Sequence, residues 1–340
     1  MRGALERRLN AIWYGERTPD FGLRALESLY APLARARSWW LGHTVEQSLV
    51  GKPIVVVGNI TAGGTGKTPL IIRLCQLLQA AGLKPGVVTR GYGRRGRAPL
   101  SVGAGQGAET AGDEPLLIWR RCRVPVRVDR ARERAARRLL SEGVDVVLCD
   151  DGLQRARLPR ELEICVVDAT RGLGNRRLLP AGPLREPAGR LQEVDAVIGN
   201  GGALAGFESL PHAAMVLEPG GCLEVAGTGQ MDLGQLRGMA QRLTVHALAA
   251  IAHPQRFFDM LHDLGIVHRP HAFPDHHRFT RSDLPATGDQ SMLLMTEKDA
   301  VKCERLALGN AWYIPVDARL PADWERWFLA RVQAMHTQVS

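Results

Sequence analysis

"GNITAGGTGKTPL", residues 58–70, follows directly on the apolar run "PIVVV" (53–57). Phosphate binding needs consecutive backbone N–H groups turned inward, and a helix that follows adds its positive dipole end. Gly63, Gly64 and Gly66 permit that backbone shape, Lys67 can reach the β- and γ-phosphates, and Thr68 can offer its hydroxyl to Mg²⁺. Ala62 and Thr65 complete the loop. The strict pattern G-x-x-x-x-G-K-[ST] requires glycine where this chain has Thr61. That glycine supplies turn geometry rather than chemistry, so Thr61 weakens the match without voiding it. The stretch from Thr61 to Thr68 is read as a nucleotide site.

Outward from the loop the text alternates between strands and helices. "PIVVV" is a strand, and Thr68 to Ala81 reads as a helix with Pro69 in its first turn. "GVVTR" (86–90), "PVRV" (125–128), "VDVVLCDDG" (144–152), "LEICVVDAT" (162–170) and "VDAVIGNGG" (194–202) follow as strands, with an arginine-rich helix over 130–140. Continuous β-branched runs without polar alternation suit strands covered on both faces, hence a mostly parallel sheet in an α/β, P-loop NTPase fold. Asp150 and Asp151 close one of these strands. Carboxylates at a strand's carboxyl end are placed to hold a metal or its waters, whereas the bland reading is a turn-forming Asp-Asp-Gly.

Between about 199 and 232 the chain becomes glycine-rich and loses helical periodicity, which suggests a hinge of short extended strands. "LTVHALAAI" (243–251), a helix over 254–264 and "SMLLMTEKDAVKC" (291–303) then suggest a second, smaller α/β unit. The expected boundaries are 1–50 for amino-terminal helices, 51–205 for the P-loop core, 206–235 for the hinge and 236–340 for the carboxyl-terminal domain.

Forty-four basic residues against 35 acidic ones give a formal charge of +9, which implies an anionic partner: nucleic acid, an acidic membrane surface or a phosphorylated substrate. The arginine cluster around 120–138 lacks the aromatics that stack on bases, apart from Trp119, and reads as a solvated helix face. Six cysteines lie far apart with no C-x-x-C pair, the pattern of scattered reduced thiols. No apolar run approaches the ~20 residues that span a bilayer. Residues 21–41 carry Leu23, Leu26, Leu29, Tyr30 and Leu33 near helical spacing, interleaved with Arg24, Arg35 and Arg37 and closed by Trp39-Trp40. Such a helix suits a lipid interface. It equally suits an ordinary helix packed on the core, with Pro32 marking a kink or break.

"HRPHAFPDHHRF" (268–279) invites a metal reading, but its spacing matches no zinc pattern. A loop bringing one histidine, supported by Asp275, to a reacting hydroxyl is the better functional reading, although from spacing alone these histidines equally suit surface positions. "GDEP" (112–115) offers Asp113 and Glu114, which alone would be a plain helix start.

Eight segments together resemble one family. "VVVGNITAGGTGKTP", "VVTRGYGRR", "GDEP", "CDDGLQ", "GNRRLLPAGPLREP", "PQRFF", "FPDHHRF" and "MTEKDAVK" occur here in the order seen in the tetraacyldisaccharide 4′-kinases. The resemblance runs from about residue 10 to 330. It implies an ATP- and Mg²⁺-dependent kinase that phosphorylates the 4′-hydroxyl of a tetraacylated glucosamine disaccharide 1-phosphate, a lipid A precursor, to give lipid IVA. It implies work at the cytoplasmic face of the bacterial inner membrane as a peripheral protein, with the membrane-embedded glycolipid and an anionic surface as partners and no nucleic acid. The carboxyl-terminal domain becomes a lid joined by the strand hinge, and residues 1–50 become membrane-interface helices. The family's catalytic carboxylate falls on Asp113, with Glu114 beside the metal, and its partnering histidine falls on His276. The pair is expected to form only when the lid closes over the core. Lys67, Thr68, Asp150 and Asp151 match the family's phosphate and metal residues, and Arg185 of "GPLRE" matches an arginine near the phosphates.

Two departures stand out. Arg155 replaces a histidine usual after D-D-G-L-Q, and Ala249 to His253 replace A-G-I-G before "PQRFF". A GTPase would show [NT]-K-x-D, but in T-E-K-D (296–299) the lysine comes one place late. A basic nucleic-acid-binding ATPase is the rival from another class, and would bind in a salt-sensitive way.

Overall fold

The computed structural model describes residues 2–15, 17–154, 157–207 and 209–337. Arg155 lies outside the described residues, as do the side chains of Arg37 and Trp39. The chain forms two compact units. One comprises residues 1–90, 124–216 and 318–340, the other residues 91–123 and 217–317.

Seven parallel strands form the middle of a nine-stranded sheet: β1 (Ile54–Gly58), β2 (Pro85–Thr89), β3 (Val126–Val128), β4 (Val146–Asp150), β5 (Leu162–Asp168), β6 (Ala196–Asn200) and β7 (His212–Pro219). Their order across the sheet is β7-β6-β5-β1-β4-β2-β3, with every neighbouring pair parallel. β1, β2, β4, β5 and β6 are buried along their whole length, as their mostly apolar text requires. Each strand predicted from the sequence is present, with ends displaced by one or two residues. The helix after the loop, Lys67–Ala80, buries Leu70, Ile71, Leu74, Cys75, Leu77 and Leu78 at three- and four-residue spacing. A fully buried side chain of this size stabilises by ~1.5–3 kcal/mol. Val57 pairs with Asp150, so the loop leaving β1 and the aspartates leaving β4 emerge together at the sheet's carboxyl edge.

Two helices, Arg2–Trp13 and Phe21–Gly42, precede the sheet. The second continues through Pro32 without a break. Glu27 anchors it, bonding Arg177 at 2.7 Å and the Leu178 N–H at 2.9 Å. Tyr30 Oη donates to the Arg185 carbonyl at 3.0 Å. Leu26, Leu29, Leu33 and Trp40 remain 53–69 % exposed. Among the described residues, no helix is long and apolar enough to cross a membrane.

In the second unit, β8 (Cys222–Glu224), β9 (Gln230–Met231), β10 (Thr244–Ala249), β11 (Arg269–Ala272), β12 (Ser291–Thr296) and β13 (Ala311–Ile314) form a sheet in the order β9-β8-β13-β12-β10-β11. The four strands β13, β12, β10 and β11 are parallel, and β8 and β9 add antiparallel pairs. The short strands expected in 206–235 are therefore present as β7, β8 and β9.

Residues 91–123 group with 217–317, and residues from 318 onward group with the first unit; both differ from the expected division at 51–205 and 236–340. Polar ties explain the first grouping. The helix Asp113–Cys122 bonds the helix Glu297–Cys303 and its extension through Arg121–Glu297 at 2.8 Å and Arg120–Glu304 at 2.6 Å. Arg278 and Arg305 bond the carbonyls of Gly93 and Gly105 at 2.9 and 2.8 Å. For the second, Arg73 forks onto Glu325, with both bonds at 2.8 Å.

All six cysteines are buried, and none is joined in a disulfide. Burial pushes the thiol of Cys149 up to about 11 and those of Cys165, Cys222 and Cys303 up to about 12.

Candidate active site

The loop after β1 is shaped by its glycines where the backbone demands it. Gly63 and Gly66 have φ of +106° and +90°, a region that a side chain makes strained. A Cβ on Gly66 would also stand 2.4 Å from Asn200 Nδ2, and that amide donates to the Thr65 carbonyl at 3.1 Å. Thr61 forms an antiparallel bridge with Leu184. The position that the strict pattern gives to glycine is extended backbone here, which a β-branched residue fits.

Asn59 organises the loop from within. Its Nδ2 donates to the Thr61 carbonyl at 2.8 Å, and its Oδ1 accepts from Lys67 Nζ at 3.0 Å. The segment carrying Arg185 closes the other side, with Ala62 N–H donating to the Pro183 carbonyl and Arg185 N–H to the Ile60 carbonyl, both at 2.7 Å.

Lys67 Nζ lies 3.6 Å from Asp151 Oδ1, and Arg185 Nη1 lies 3.2 Å from the same oxygen. Burial would raise the Asp151 carboxyl, but Lys67, Arg185 and Arg132 outweigh it and hold the group below its ordinary value. Asp151 itself has φ of +50°, unusual for a residue with a side chain. Arg132, 2 % exposed, donates to the carbonyls of Asp150 at 3.3 Å and Asp151 at 3.1 Å. It fixes the turn that displays both carboxylates. Thr89 Oγ1 donates to Asp150 Oδ2 at 3.1 Å.

Asp150, Asp151 and the Thr68 hydroxyl are hard oxygen donors, the chemistry that suits Mg²⁺. Among the described residues, no three His, Cys, Asp or Glu side chains converge to hold a metal by themselves. Mg²⁺ in phosphoryl-transfer sites needs no such cage, since one or two carboxylates and phosphate oxygens suffice. The donor set therefore fits.

In the second unit, His276 Nδ1 lies 2.9 Å from Asp113 Oδ2 and 3.2 Å from Oδ1. Asp113 opens its helix after Gly112 (φ +95°) and is 5 % exposed. Burial would raise this carboxyl, but the hydrogen bond from His276 and the charge of Lys298 hold it well below the usual range. Burial would likewise lower the imidazole, but the bond to Asp113 leaves it raised above 6.5. The Tyr92 ring packs on His276 with centroids 4.8 Å apart.

The pairing of Asp113 with His276 is made inside one compact unit. The expectation that it forms only when a lid closes over the core is therefore replaced: the chain carries Asp113 into the unit that holds His276. Glu114 belongs to this unit too, where it bonds Lys298 at 2.9 Å.

The other histidines of 268–279 go elsewhere. His271 meets His246 at 2.9 Å, and His277 stacks on Phe273 with centroids 4.8 Å apart. Many arginines of 120–138 face carboxylates, among them Arg134 with Asp129 at 2.7 Å and Arg137 with Glu46 at 2.7 Å. Sequence reasoning missed Asn59, Asn200, Arg132 and Lys298. Asn59 and Lys298 do lie in "VVVGNITAGGTGKTP" and "MTEKDAVK", whereas Arg132 and Asn200 lie in none of the eight segments; Lys298 is also one of only five lysines (52, 67, 84, 298 and 302) in an arginine-rich chain.

A family model described as tetraacyldisaccharide-1-P 4′-kinase matches residues 20–333. The chain is 49 % identical to a tetraacyldisaccharide 4′-kinase of Stenotrophomonas maltophilia (strain R551-3), covering 91 % of this chain and 92 % of that protein. It is 46 % identical to one of Pseudomonas putida (strain W619), covering 98 % of each. A crystal structure of LpxK from Aquifex aeolicus in complex with ATP superposes with a TM-score of 0.72 at 25 % identity, over 92 % of this chain and 99 % of that one. With the phosphate loop, the strand-end aspartates and the Asp–His pair in place, these matches make the chain a member of the tetraacyldisaccharide-1-P 4′-kinase family.

Proposed function

We propose that the protein transfers the γ-phosphoryl group of ATP to the 4′-hydroxyl of a tetraacylated glucosamine disaccharide 1-phosphate, giving lipid IVA. The observation that carries this reading is the family match over residues 20–333, into which the geometry of both clusters fits. The backbone of residues 61–66 cradles the phosphates, and Lys67 and Arg185 bring positive charge to them. Thr68, Asp150 and Asp151 would hold Mg²⁺, with Glu114 as a further candidate carboxylate. When bound there, Mg²⁺ would supply neutralisation of the charge that develops on the phosphate oxygens.

The sugar oxygen attacks the γ-phosphorus, the bond from that phosphorus to the β–γ bridging oxygen breaks, and ADP leaves. The hydroxyl proton passes to the Asp113–His276 pair. His276 directs Nδ1–H at Asp113, which leaves Nε2, 3.7 Å from Asp275, as the nitrogen that takes a proton. The imidazolium so formed is stabilised by the Asp113 carboxylate. Incubation with ATP, Mg²⁺ and the disaccharide 1-phosphate should yield a bisphosphorylated product. Absence of that product, with nucleotide binding intact, would refute the assignment.

The acceptor's acyl chains keep it in a bilayer, so the enzyme must reach the lipid interface. The exposed stripe of Leu26, Leu29, Leu33 and Trp40 supports peripheral attachment to the anionic cytoplasmic face of the inner membrane through the helix Phe21–Gly42.

A further inference from the structure

We infer that Lys298 is a positioning residue that holds the Asp113–His276 pair together. The inference rests on the proton-accepting role proposed for that pair, and it assigns to Lys298 no contact with the reacting atoms.

Lys298 follows β12 in the first turn of the helix Glu297–Cys303. That turn is set rigidly: the Thr296 hydroxyl caps the helix by accepting from the Asp299 N–H at 3.2 Å, and Asp299, wholly buried, accepts from the Ala250 N–H at 2.9 Å. From this fixed base the ammonium reaches two other segments. Its Nζ is 2.9 Å from Glu114 Oε1, 3.4 Å from Asp275 Oδ1 and 3.9 Å from Asp113 Oδ2, with the side chain only 17 % exposed. Glu114 and Asp113 begin one helix, and Asp275 precedes His276 in the histidine loop.

Two physical reasons make this tie necessary. Three carboxylates converge on one ammonium, Asp113 buried and Glu114 and Asp275 partly exposed, and their mutual repulsion grows as the dielectric falls. Removal of the ammonium would drive the Asp275–His276 loop away from the Asp113–Glu114 turn. His276 is also held at φ +59°, a region in which a residue with a side chain persists only when its surroundings over-determine it. Asp275 Oδ1 meets both the His276 N–H at 3.0 Å and Lys298, so Lys298 braces the strained residue through its neighbour. A tripod of donors on a compact ammonium suits three acceptors better than a planar guanidinium does.

The test is a double-mutant cycle of Lys298→Met with His276→Ala, read by kcat and KM and by the imidazole ¹H–¹⁵N NMR signals of His276. Lys298→Met should lower kcat at least tenfold with the KM for ATP unchanged. It should abolish the hydrogen-bonded Nδ1–H signal and add no further loss to His276→Ala. If the losses multiply, or if Lys298→Met leaves the Nδ1–H signal intact, the inference is wrong. If His276→Ala itself turns over normally, the base assignment falls instead, and the NMR signal still decides whether Lys298 holds the pair. Should Lys298→Met fail to fold, the same cycle is run with Lys298→Arg. That variant keeps the charge and should retain the signal, with an intermediate kcat that is again non-additive with His276→Ala; multiplied losses would overturn the inference there too.

Discussion

Lys67 Nζ stands 3.6 Å from Asp151 Oδ1, so the cation assigned to the phosphates and a carboxylate assigned to the metal form one electrostatic unit. Lys67→Ala should lower kcat by about 10²–10³, the size expected for loss of one preorganised charge at a developing oxyanion. It also removes the largest of the cationic influences that hold the Asp151 carboxyl below its ordinary value, so the dependence of turnover on Mg²⁺ should change. Turnover as a function of Mg²⁺ concentration measures both effects. Near-normal turnover would show that the loop is not the phosphate site.

Asp113→Ala, His276→Ala and the double variant should lose similar amounts of kcat, in the range of about 10²–10⁴ typical of proton transfer, with nucleotide affinity retained. Residues that act as a unit are not additive. Losses that multiply in steady-state kinetics would separate the two roles.

The same pair sets a pH signature. The His276 pKa is raised in the folded protein above its ordinary value of 6.5. Its stabilising contribution is therefore complete below pH 6.5 and fades as pH rises through the folded value. Turnover needs the proton-accepting form and so should rise over the same interval. Thermal melts of wild type and His276→Ala should differ most at the acid end, and a kcat profile should climb with pH where that difference shrinks. A melting difference that grows with pH would contradict the pairing.

Thr61→Gly restores the strict phosphate-loop pattern, yet it should not improve the enzyme. Thr61 is bridged to Leu184 in extended conformation, and glycine in a strand-like position costs roughly 0.5–1 kcal/mol. Denaturant melts should show that loss, while isothermal titration with ATP finds the affinity unchanged. A gain in stability would refute the strand reading of Thr61.

Leu26→Glu, Leu33→Glu, Trp40→Glu combined should abolish binding to anionic vesicles while leaving the fold and ATP binding intact, because these side chains are exposed. Wild-type binding should weaken with salt, each arginine near anionic lipid contributing about 1 kcal/mol. Activity of the variant on acceptor dispersed in detergent should recover. Loss of ATP binding would instead make the helix an ordinary packed element.

The strand series and the phosphate loop were legible because both are local: buried parallel strands leave unbroken β-branched runs, and Gly63, Gly66 and Lys67 act within one turn. Asp113 and His276 lie 163 residues apart, a pairing no spacing rule reaches, and only the resemblance joined them. The grouping of 91–123 with the second unit was illegible for a similar reason. It depends on ties such as Arg121–Glu297 and Lys298–Glu114, whose partners sit in unrelated stretches of text. Thr61 was read as a weakened turn because the motif presumes one, whereas its bridge to Leu184 is a tertiary fact.

The distribution of the buried cysteines has a practical consequence. Cys75, Cys149 and Cys165 belong to the first unit and Cys122, Cys222 and Cys303 to the second. A thiol shielded from solvent, with its ionisation pushed to about 11 or 12 in four of the six cases, reacts only when its surroundings open. Pulsed alkylation followed by peptide mass mapping therefore turns the chain into its own two-channel recorder of local unfolding, three reporters to each unit, with no label introduced.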